Sequence, residues 1–557
     1  MKKIILFVIL ILPTIMFAQT WQWAKQIGGP GMDGAYVRHV DAQHNIYLSG
    51  GYAIPYAGSN FNNCYISNDT LYGSKDAFLA KYDGSGNLLW VKNCVSPSSY
   101  IGISGFVFDS INSIFYIAGQ YQYSCIINTC NLSTTNQSMF LAKLDVNGNC
   151  LWAKNIGEFP YGTTYVISMT RDNFGNIFFA GNTDVTHTID TSTITPGTFL
   201  AKFDSNGNSL WAKTKIANTG SLQTQLALQS LKYFNNNIYA SVIVYAASFN
   251  DTIRVDTLSL TNLHGKGYGL LCMDATNCNA KWLKLEGFPN NNHYSRDLMD
   301  MDSNGNIYYT GSFSDSCFIA QDTLIAISMS NGFLSKYDVN GNLQYVKQLY
   351  SNGELYSFGI KTLANGSCFL TGAFSGQGNF GSYNVNSSTP QDLFISRYDS
   401  NGVCLGVDHA GVGSGLSISA DESNVYMTGV FPPAPRPSDT INIAGSTFIN
   451  YGWEDIVFAK HDMISGISEE TRQANNSLII YSNPNKGSFS LKIPDDFKNE
   501  QKLTLNIFDN NGKLIRQQFL NMNDEHPILD VYGEAKGVYT VTLSNTRKRY
   551  NGKMIVQ

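Results

Sequence analysis

The stretch Phe78-Leu-Ala-Lys-Tyr-Asp-Gly-Ser-Gly-Asn-Leu-Leu-Trp90 recurs along this chain and decides its fold. Close copies are Phe140-Leu-Ala-Lys-Leu-Asp-Val-Asn-Gly-Asn-Cys-Leu-Trp152 and Phe199-Leu-Ala-Lys-Phe-Asp-Ser-Asn-Gly-Asn-Ser-Leu-Trp211, and looser ones lie at Phe333–Tyr345 and Phe394–Gly406. A sequence that repeats at about 60 residues uses one supersecondary unit several times. Most of the chain is therefore a repeat array.

Each copy predicts two strands joined by a hairpin, because Asn-Gly between apolar runs is a strong turn signal. Another recurring run, such as Asn45-Ile-Tyr-Leu-Ser-Gly50 and Asn306-Ile-Tyr-Tyr-Thr-Gly311, is typical of a short buried strand. Four short strands in each repeat predict the blade of a β-propeller.

One Asp closes the first strand of every copy, so it counts the repeats. The fourth copy, Leu270–Asp274, is degenerate but falls in phase. We predict an all-β chain with a seven-bladed β-propeller over residues 19–462, in which these residues belong to the blade framework: Asp83, Asp145, Asp204, Asp274, Asp338, Asp399 and Asp462.

The two ends of the array are complementary. The seventh copy lacks the Trp-x-Lys strand, and an isolated one, Trp21–Lys25, stands at the start of the array. We predict that this N-terminal strand completes the last blade, which removes an open sheet edge. The alternative is an open solenoid with capping repeats.

Composition supports an all-β chain and excludes one class of partner. Charged residues make up 14% of the 557 residues, while Tyr and Phe number 32 each and Gly 50. The net charge is −5 and no run of Lys or Arg occurs in the body of the chain, which argues against nucleic-acid binding. We predict a monomer.

Residues 1–18 have the pattern of a secretory signal peptide, with two Lys, an apolar run and Ala18 before the predicted cut. A transmembrane anchor is the alternative. Ten Cys would then reach an oxidising compartment. The local spacing offers Cys272–Cys278 and Cys125–Cys130 as candidate disulfides, and no Cys spacing typical of a zinc site occurs.

Residues 463–476 are polar and predict a linker, and residues 477–557 predict a small C-terminal β-sandwich. This last segment carries Asn-Pro followed by Gly, then Gly-x-Tyr, then a Lys-led final strand. The residues of these motifs are Asn483, Pro484, Gly487, Gly537, Tyr539 and Lys553.

Two family resemblances follow from these motifs. The repeats resemble SBBP-type β-propeller repeats, and the tail resembles the type A C-terminal sorting domain of the type IX secretion system. The second resemblance implies contact with the secretion machinery, transport across the outer membrane, removal of the tail by a sorting protease, and an extracellular or cell-surface location. An ordinary ligand-binding sandwich is the alternative.

Catalytic patterns are not found in the sequence. The carboxylates that can be placed lie mainly in hairpin turns, no nucleophile elbow or paired His spacing occurs, and no cofactor or metal motif is present. A sialidase would need clustered arginines, whereas the propeller arginines stand in non-equivalent contexts: Arg38, Arg171, Arg254, Arg296, Arg397 and Arg436.

Two smaller patterns leave alternatives open. Turns such as Asp145–Asn149 offer oxygen ligands for calcium, but their Gly comes too early for an EF-hand loop, which favours a metal-free hairpin. Asp-Thr-aliphatic triplets, for example at Asp69 and Asp322, resemble O-glycosylation sites, and a repeated strand start explains them equally.

The sequence therefore predicts a secreted or surface-attached propeller that binds a glycan or protein, without cofactor, metal or catalysis of its own. The variable connections Tyr52–Asn68 and Ala246–Lys266 are the candidate ligand loops. The alternatives are an extracellular hydrolase or lyase acting on polysaccharide, and a structural component of a surface layer or biofilm matrix.

Overall fold

The computed structural model contains two compact units, Met1–Glu469 and Glu470–Gln557. In the first unit it describes residues 21–54, 63–73, 75–97, 99–159, 164–217, 225–245, 251–263, 266–286, 299–320, 322–411, 413–421, 423–431, 440–452 and 454–462. In the second it describes residues 478–481, 483, 485–494, 497, 503–509, 514–520, 527–531, 535–545 and 549–557. The predicted signal peptide and linker lie outside these residues. Within the described ranges no helix has the length and apolarity that a membrane span requires.

The first unit is built from four-stranded antiparallel sheets, each of which we call a blade. The innermost strands of the described blades are β2 (Met32–Val40), β8 (Ile101–Asp109), β12 (Thr164–Arg171), β18 (Gln225–Phe234), β24 (Met299–Met301), β30 (Leu355–Thr362) and β36 (Ser414–Ala420). The second strands are β3 (Ile46–Ile54), β9 (Ile114–Ile127), β13 (Ile177–Thr183), β19 (Asn237–Tyr245), β25 (Ile307–Phe313), β31 (Cys368–Phe374) and β37 (Asn424–Phe431).

The Phe-Leu-Ala-Lys-x-Asp segments form the third strands, and the segments that begin near Trp form the outermost strands. The third strands are β6 (Asp76–Tyr82), β10 (Cys130–Asp145), β16 (Gly197–Phe203), β22 (Lys266–Asp274), β28 (Asn331–Tyr337), β34 (Asp392–Tyr398) and β40 (Asp455–Asp462). The outermost strands are β7 (Leu88–Val95), β11 (Cys150–Phe159), β17 (Ser209–Ala217), β23 (Ala280–Glu286), β29 (Leu343–Ser351), β35 (Cys404–Ala410) and β1 (Trp21–Gly28).

The innermost strands of neighbouring blades are in contact, and β2 contacts both β8 and β36. The described strands therefore trace a closed ring of seven blades. The prediction of an all-β, propeller-like architecture is confirmed.

The N-terminal strand completes the last blade, as predicted. Strand β1 pairs antiparallel with β40 over Trp21–Ile27 and Ile456–His461. Ile27 of β1 is fully buried, and Ala24 is 8% exposed. Because β1 lies along a third strand that is itself buried, it covers the edge that the last repeat would otherwise leave open.

Hairpins inserted between the second and third strands cover the outer edges of the ring. Strand β4 (Asn63–Ile66) of one insert pairs with β1, and β32 (Gln377–Phe380) of another pairs with β29, so each adds to the preceding blade. In the second blade the extended ends of β9 and β10 have this position. The remaining inserted strands are β5 (Asp69–Tyr72), β14 (His187–Ile189), β15 (Ser192–Ile194), β20 (Asp251–Val255), β21 (Leu258–Leu263), β26 (Ser316–Ile319), β27 (Asp322–Ile325), β33 (Tyr383–Asn386), β38 (Thr440–Ile443) and β39 (Ser446–Ile449).

One disulfide joins Cys130 to Cys150. The tip of the β9–β10 hairpin folds back onto the turn between β10 and β11, where Asn128 Nδ2 donates to the carbonyl of Gly148 at 3.0 Å. Cys125, Cys272 and Cys278 are buried free thiols. The predicted pairs Cys272–Cys278 and Cys125–Cys130 are therefore wrong, because the fold and not the sequence spacing brings two Cys together.

The second unit is a small β-sandwich. One sheet contains β41 (Ile479–Tyr481), β42 (Ser488–Lys492) and β45 (Ile528–Asp530). The other contains β43 (Leu503–Phe508), β44 (Leu514–Leu520), β46 (Gly537–Ser544) and β47 (Arg549–Val556). Both sheets contribute to one apolar core, which includes Phe489, Leu529, Ile507 and Val541. The predicted terminal sandwich is confirmed.

The repeated turn is closed by its Asp. Asp83 Oδ1 accepts hydrogen bonds from the N–H groups of Ser85 and Asn87, both at 2.9 Å, and Oδ2 accepts one from Asn87 Nδ2 at 2.9 Å. Asp145, Asp204 and Asp338 accept the same set in their turns. Burial acts to raise the pKa of these carboxyls, but the donated hydrogen bonds outweigh it, and each pKa is lowered.

The repeated Trp joins one blade to the next where it occurs. Trp23 Nε1 donates to the carbonyl of Gly84 at 3.2 Å, and Trp90 Nε1 donates to the carbonyl of Val146 at 3.1 Å. Lys460 Nζ reaches the same Gly84 carbonyl at 3.0 Å. The repeats therefore resemble one another because the Trp of one blade contacts the turn of the next, and this contact needs a similar turn in both blades.

A glycine substitution can test this contact. Gly207 has φ +74°, and a methyl group there would lie 2.5 Å from Cη2 of Trp152. At Gly175, with φ +84°, the nearest atom would be Ser205 Cβ at 3.8 Å. Both Gly→Ala changes carry the left-handed backbone cost of about 1–2 kcal/mol. We expect Gly207→Ala to lose about 1–3 kcal/mol more than Gly175→Ala through overpacking.

Urea unfolding of the two variants measures this difference directly. Equal losses of unfolding free energy in the two variants would contradict the proposed role of the Trp152 ring.

A buried carboxyl at the closing strand pair predicts a pH dependence. Asp455 is fully buried, and it accepts hydrogen bonds from Gln26 Nε2 at 2.5 Å and from the N–H of Tyr451 at 2.8 Å. Burial raises the pKa of Asp455 from 3.8 to about 7. The folded state therefore binds this proton more tightly than the unfolded state, and its stabilising effect is lost as the pH rises from about 4 to about 7.

We expect the unfolding free energy of the unmodified chain to fall between pH 5 and pH 8, by at most about 3 kcal/mol from this group. Asp455→Asn removes the titrating group and should flatten that dependence. Denaturant unfolding at the two pH values measures how the unfolding free energy of each protein changes with pH. If the unfolding free energy of the unmodified chain and of Asp455→Asn changed equally with pH, Asp455 would not be the titrating group.

Candidate functional site

The central channel of the ring contains a cavity of about 200 Å³. Residues from all seven described innermost strands line it. Most of the lining side chains are aliphatic or small, and the charged and aromatic ones are Arg38, His39, Phe106, Lys232, Asp300 and Lys361.

Three of these charged residues form one cluster across three consecutive blades. Asp300 on β24 is 4% exposed and lies between Lys232 on β18 and Lys361 on β30. Lys232 Nζ is 2.8 Å from Asp300 Oδ1, and Lys361 Nζ is 3.1 Å from Oδ2. The N–H of Thr362 donates to the same Oδ2 at 2.7 Å. The carboxylate is thus held by two ammonium groups and one backbone donor.

The charges in this cluster determine which of its groups are protonated. Burial acts to raise the pKa of Asp300, but the two Lys ammonium groups outweigh it and hold the pKa well below its usual range. Nearby, burial and then the charge of Lys361 lower the pKa of His39 to about 4. His39 stacks on Phe108 with ring centroids 4.2 Å apart. Near neutral pH, Asp300 is therefore an anion and His39 is uncharged.

Arg38 adds a further positive charge to the channel wall. Its Nε donates to Ser49 Oγ at 2.7 Å, and its guanidinium carbon lies 4.9 Å from the centre of the Tyr36 ring. The lining residues therefore carry three positive groups and one negative group, a formal charge of +2 in a chain whose net charge is −5.

The sequence analysis missed this cluster, although a signal exists. Asp300 stands two residues before Asp302, which begins the turn between β24 and β25. Lys361 stands two residues before Leu363, which begins the equivalent turn of the next blade. The turn between the innermost and second strands recurs in each repeat. A sequence alignment of the repeats on this turn, in addition to the Asp-x-Asn-Gly-Asn turn, places Lys232, Asp300 and Lys361 at equivalent positions.

The predicted framework residues lie elsewhere. Six of the Asp residues close described turns between third and outermost strands, where neighbouring N–H groups occupy their oxygens: Asp83, Asp145, Asp204, Asp274, Asp338 and Asp399. Asp462 ends β40, and the turn that follows lies outside the described residues. In the part of the chain that the structure describes, no group of three or more His, Cys, Asp or Glu is placed to hold a metal ion.

The described parts of the variable connections form the outer hairpins. Residues 63–68 belong to the β4–β5 hairpin and residues 251–263 to the β20–β21 hairpin. Asp69 and Asp322 each begin the second strand of such a hairpin, as the strand-start interpretation predicts. Both predicted ligand loops are thus partly used to cover the ring, while residues 55–62, 246–250 and 264–265 lie outside the described residues.

The arginines are dispersed in the described ranges. Arg171 Nη2 pairs with Asp109 Oδ2 at 3.2 Å, while the Arg397 guanidinium lies over the Phe369 ring at 5.9 Å. Arg38 is the arginine that lines the channel cavity.

The predicted sorting-domain residues hold the two ends of the sandwich together. Asn483 Oδ1 accepts from the N–H of Ile555 at 2.8 Å, and Asn483 Nδ2 donates to the carbonyl of Lys553 at 2.7 Å. Gly487 has φ +99°, and its N–H donates to Asn485 Oδ1 at 2.8 Å. These contacts fix the first turn of the domain against its last strand.

The remaining sorting-domain residues lie on and near β46. Gly537 begins β46, and Tyr539 is 5% exposed and donates to the carbonyl of Ala535 at 2.6 Å. Pro484 lies outside the described residues.

Two families match parts of the chain. Residues 479–557 match the family described as secretion system C-terminal sorting domain. Residues 151–187 match the family described as beta-propeller repeat. Both resemblances predicted from the motifs are therefore confirmed. The sorting domain indicates export by type IX secretion to the cell surface or extracellular space, and hence interaction with that secretion machinery.

Solved structures share only distant similarity with the chain. A europium-containing methanol dehydrogenase has 10% identity and a TM-score of 0.33, with 72% of this chain and 90% of that chain covered. A Synechocystis apocarotenoid oxygenase mutant has 7% identity and a TM-score of 0.30, with coverages of 78% and 95%. A Bacteroides ovatus GH43B protein has 9% identity and a TM-score of 0.21, with coverages of 79% and 97%. No curated protein matches the chain in sequence.

Proposed function

We propose that this chain is an exported binding or adhesion protein whose propeller holds an extracellular glycan or protein without converting it. The observation that carries the proposal is the state of the channel's charged residues. Among the described lining residues the one carboxylate, Asp300, is bound by Lys232 and Lys361, which removes it from proton transfer.

Glycoside hydrolysis requires a different arrangement. It uses two carboxyl groups, about 5–10 Å apart, one of which donates a proton to the leaving group. Of the described residues that line the channel, Asp300 alone has a carboxyl group, and its lowered pKa keeps it ionised. Both facts support binding over hydrolysis at this site.

The tail supports the location of this binding. Export by the sorting domain places the propeller outside the cell, where a rigid ring can present the same surface to a glycan or a protein. After transport, a sorting protease removes the tail.

A binding screen tests the function. The full chain, purified, is applied to a glycan array and to an extract of extracellular proteins, and each polysaccharide is assayed for new reducing ends and unsaturated products. We expect saturable retention of at least one ligand class and no product. Reproducible cleavage would overturn the proposal in favour of a hydrolase or lyase. If the chain binds only to other copies of itself, the result would favour a structural component.

A further inference from the structure

Three exposed tyrosines lie together at the outer edge of the ring, where the last blade meets the first. Tyr65 on β4 is 41% exposed, Tyr72 on β5 is 70% exposed, and Tyr451, which follows β39, is 56% exposed. Large aromatic side chains usually bury most of their surface in a core or an interface. An exposed group of them marks a surface that contacts another molecule.

The strand pairing places two of these tyrosines on one face. In the β4–β5 hairpin, Tyr65 lies opposite Thr70. In the same hairpin, Asn63 lies opposite Tyr72. Side chains that are opposite each other in an antiparallel pair project from the same face, and Cys64 between them is buried on the other face. Tyr65 and Tyr72 thus occupy one diagonal of the outer face, with Cβ atoms about 7–8 Å apart.

Tyr451 extends this face across the junction of the two blades. Its ring centroid lies 5.6 Å from that of Tyr65, and the ring planes are at 66° to each other. The N–H of Tyr451 donates to Asp455 Oδ2 at 2.8 Å. The N–H of Gly452 donates to Asn450 Oδ1 at 2.7 Å. These hydrogen bonds hold the backbone of Tyr451, whose ring restricts that of Tyr65, so binding here costs less conformational entropy.

The blade framework does not require tyrosine at these positions. At the position of Tyr65, the inserted hairpins of the third to seventh blades have Thr188, Arg254, Phe318, Asn379 and Asn442. At the position of Tyr72, the hairpins of the fifth to seventh blades have Ile325, Asn386 and Ile449. Because the residue types differ among blades, no packing contact shared by the inserts accounts for the two tyrosines.

The area of this surface limits what it can hold. An aromatic side chain buries about 150–250 Å², so the exposed fractions of the three tyrosines amount to about 250–400 Å². A stable protein interface needs about 800 Å² from each partner. A second copy of the chain, or another folded protein, therefore needs more surface than the tyrosines supply. The side chains of the outer face carry no charge, so an ionic ligand has no partner on it.

The chemistry of the surface fits a sugar. A pyranose ring has C–H groups on its face and hydroxyl groups around its edge. The C–H groups pack on the face of an aromatic ring, whose π-electrons make it slightly negative. The phenol hydroxyls and the side chains of Asn63 and Thr70 can donate hydrogen bonds to the sugar hydroxyls and accept them. Two tyrosines side by side can hold two sugar units of one chain.

We propose that Tyr65, Tyr72 and Tyr451, which we call the tyrosine platform, bind an uncharged glycan. Pyranose rings stack on Tyr65 and Tyr72, and Tyr451 orients the Tyr65 ring. This inference rests on the proposed binding function and narrows its ligand to an uncharged glycan. It places the contact at the outer edge of the ring and not in the channel.

Affinity electrophoresis of the full chain tests the ligand class. Native gels contain galactomannan, arabinoxylan, dextran or hydroxyethyl cellulose as uncharged polysaccharides, and polygalacturonate as a charged one. We expect at least one uncharged polysaccharide to retard the chain. Isothermal titration with that polysaccharide should give an affinity that does not fall as salt is added, because no charges pair. No retardation by any uncharged polysaccharide, or retardation by polygalacturonate alone, would overturn the proposal.

Variants of the platform test the site. We expect Tyr65→Ala and Tyr72→Ala each to weaken binding by about tenfold, and the double variant to remove it. Tyr72→Phe, which keeps the ring, should stay within about threefold of the unmodified chain. Tyr451→Ala should weaken binding by less than Tyr65→Ala, since it acts through the Tyr65 ring. If Tyr65→Ala does not fold, Tyr72→Ala still tests the site, because that side chain is 70% exposed.

Phe318→Ala is the matched control. Phe318 has the position of Tyr65 in the fifth blade and is 55% exposed, but Ile325 stands there in place of Tyr72. Its removal should leave the affinity unchanged. The same affinity in the double variant and the unmodified chain, or an equal loss in Phe318→Ala, would contradict the assigned site.

The outcomes separate this site from the proposed function. If sedimentation shows that the unmodified chain self-associates and the double variant does not, the platform binds a second copy and the glycan assignment is wrong. If a polysaccharide binds the double variant as well as the unmodified chain, the platform is wrong and the binding function stands. If neither the gels nor the binding screen retains a ligand, both are wrong.

Discussion

Deletion of Trp21–Gly28 is expected to abolish cooperative folding of the propeller. This strand pairs with β40 along its length and buries Ile27 and Ala24. Burial of a large apolar side chain is worth about 1.5–3 kcal/mol. Loss of the strand, with its two Trp side chains, therefore costs a free energy comparable to the whole stability of a typical domain, about 5–15 kcal/mol.

The deletion also exposes the edge of a hydrophobic strand. Residues Ile456, Val457 and Phe458 of β40 are at most 1% exposed in the intact chain. An unpaired apolar edge of this kind templates association with other chains. We therefore expect the variant to aggregate and to lack the thermal transition of the intact protein, as measured by calorimetry and light scattering.

A peptide with the sequence of residues 21–28 provides the control. Strand addition to an exposed edge restores main-chain hydrogen bonds without a covalent link. Added in excess during refolding, the peptide should recover part of the folded fraction, whereas a scrambled peptide should not. A deletion variant that unfolds cooperatively within a few degrees of the intact chain would show that the ring does not depend on this strand.

Deletion of residues 478–557 is expected to stop export. The tail contains the matched sorting domain and is a compact unit with its own apolar core. The propeller does not share that core, so it should still fold. We expect the truncated chain to accumulate inside the cell envelope, with at least a tenfold fall in the amount at the surface and in the medium. Fractionation and immunoblotting measure both pools.

A pair of point variants separates recognition of the folded tail from its mere presence. Tyr539 is buried in the sandwich core, and Thr540 beside it is exposed. Tyr539→Ala should cost about 3–5 kcal/mol and reduce export, whereas Thr540→Ala should leave export unchanged. Normal export of the truncated chain would refute the function assigned to the tail.

Local contacts made the framework predictable. Asp83 and Asn87 close their turn with hydrogen bonds inside five residues, so the same residue types return in most copies. The Trp that packs on the next turn must return for the same reason, since Trp152 contacts Gly207 one repeat away. Closure by β1 was predictable because the missing outermost strand of the last copy appears at the other end of the array.

Long-range contacts were not predictable in the same way. Lys232, Asp300 and Lys361 meet only because three blades stand side by side around the channel. Their equivalent positions in the repeat can be aligned, but the alignment does not show which side chains pair. The disulfide shows the same limit. Cys130 meets Cys150 because a hairpin folds back, and the nearer Cys125 points into the buried core instead.

The central claim is that this exported propeller holds its ligand without converting it. Recovery of a retained ligand tests this most directly: the full chain is incubated with the glycan or protein selected in the binding screen, washed, and denatured, and the released ligand is weighed by mass spectrometry. We predict release of one ligand mass, identical to that applied, after incubations from minutes to days. A shortened or unsaturated product that accumulates with time would contradict the account.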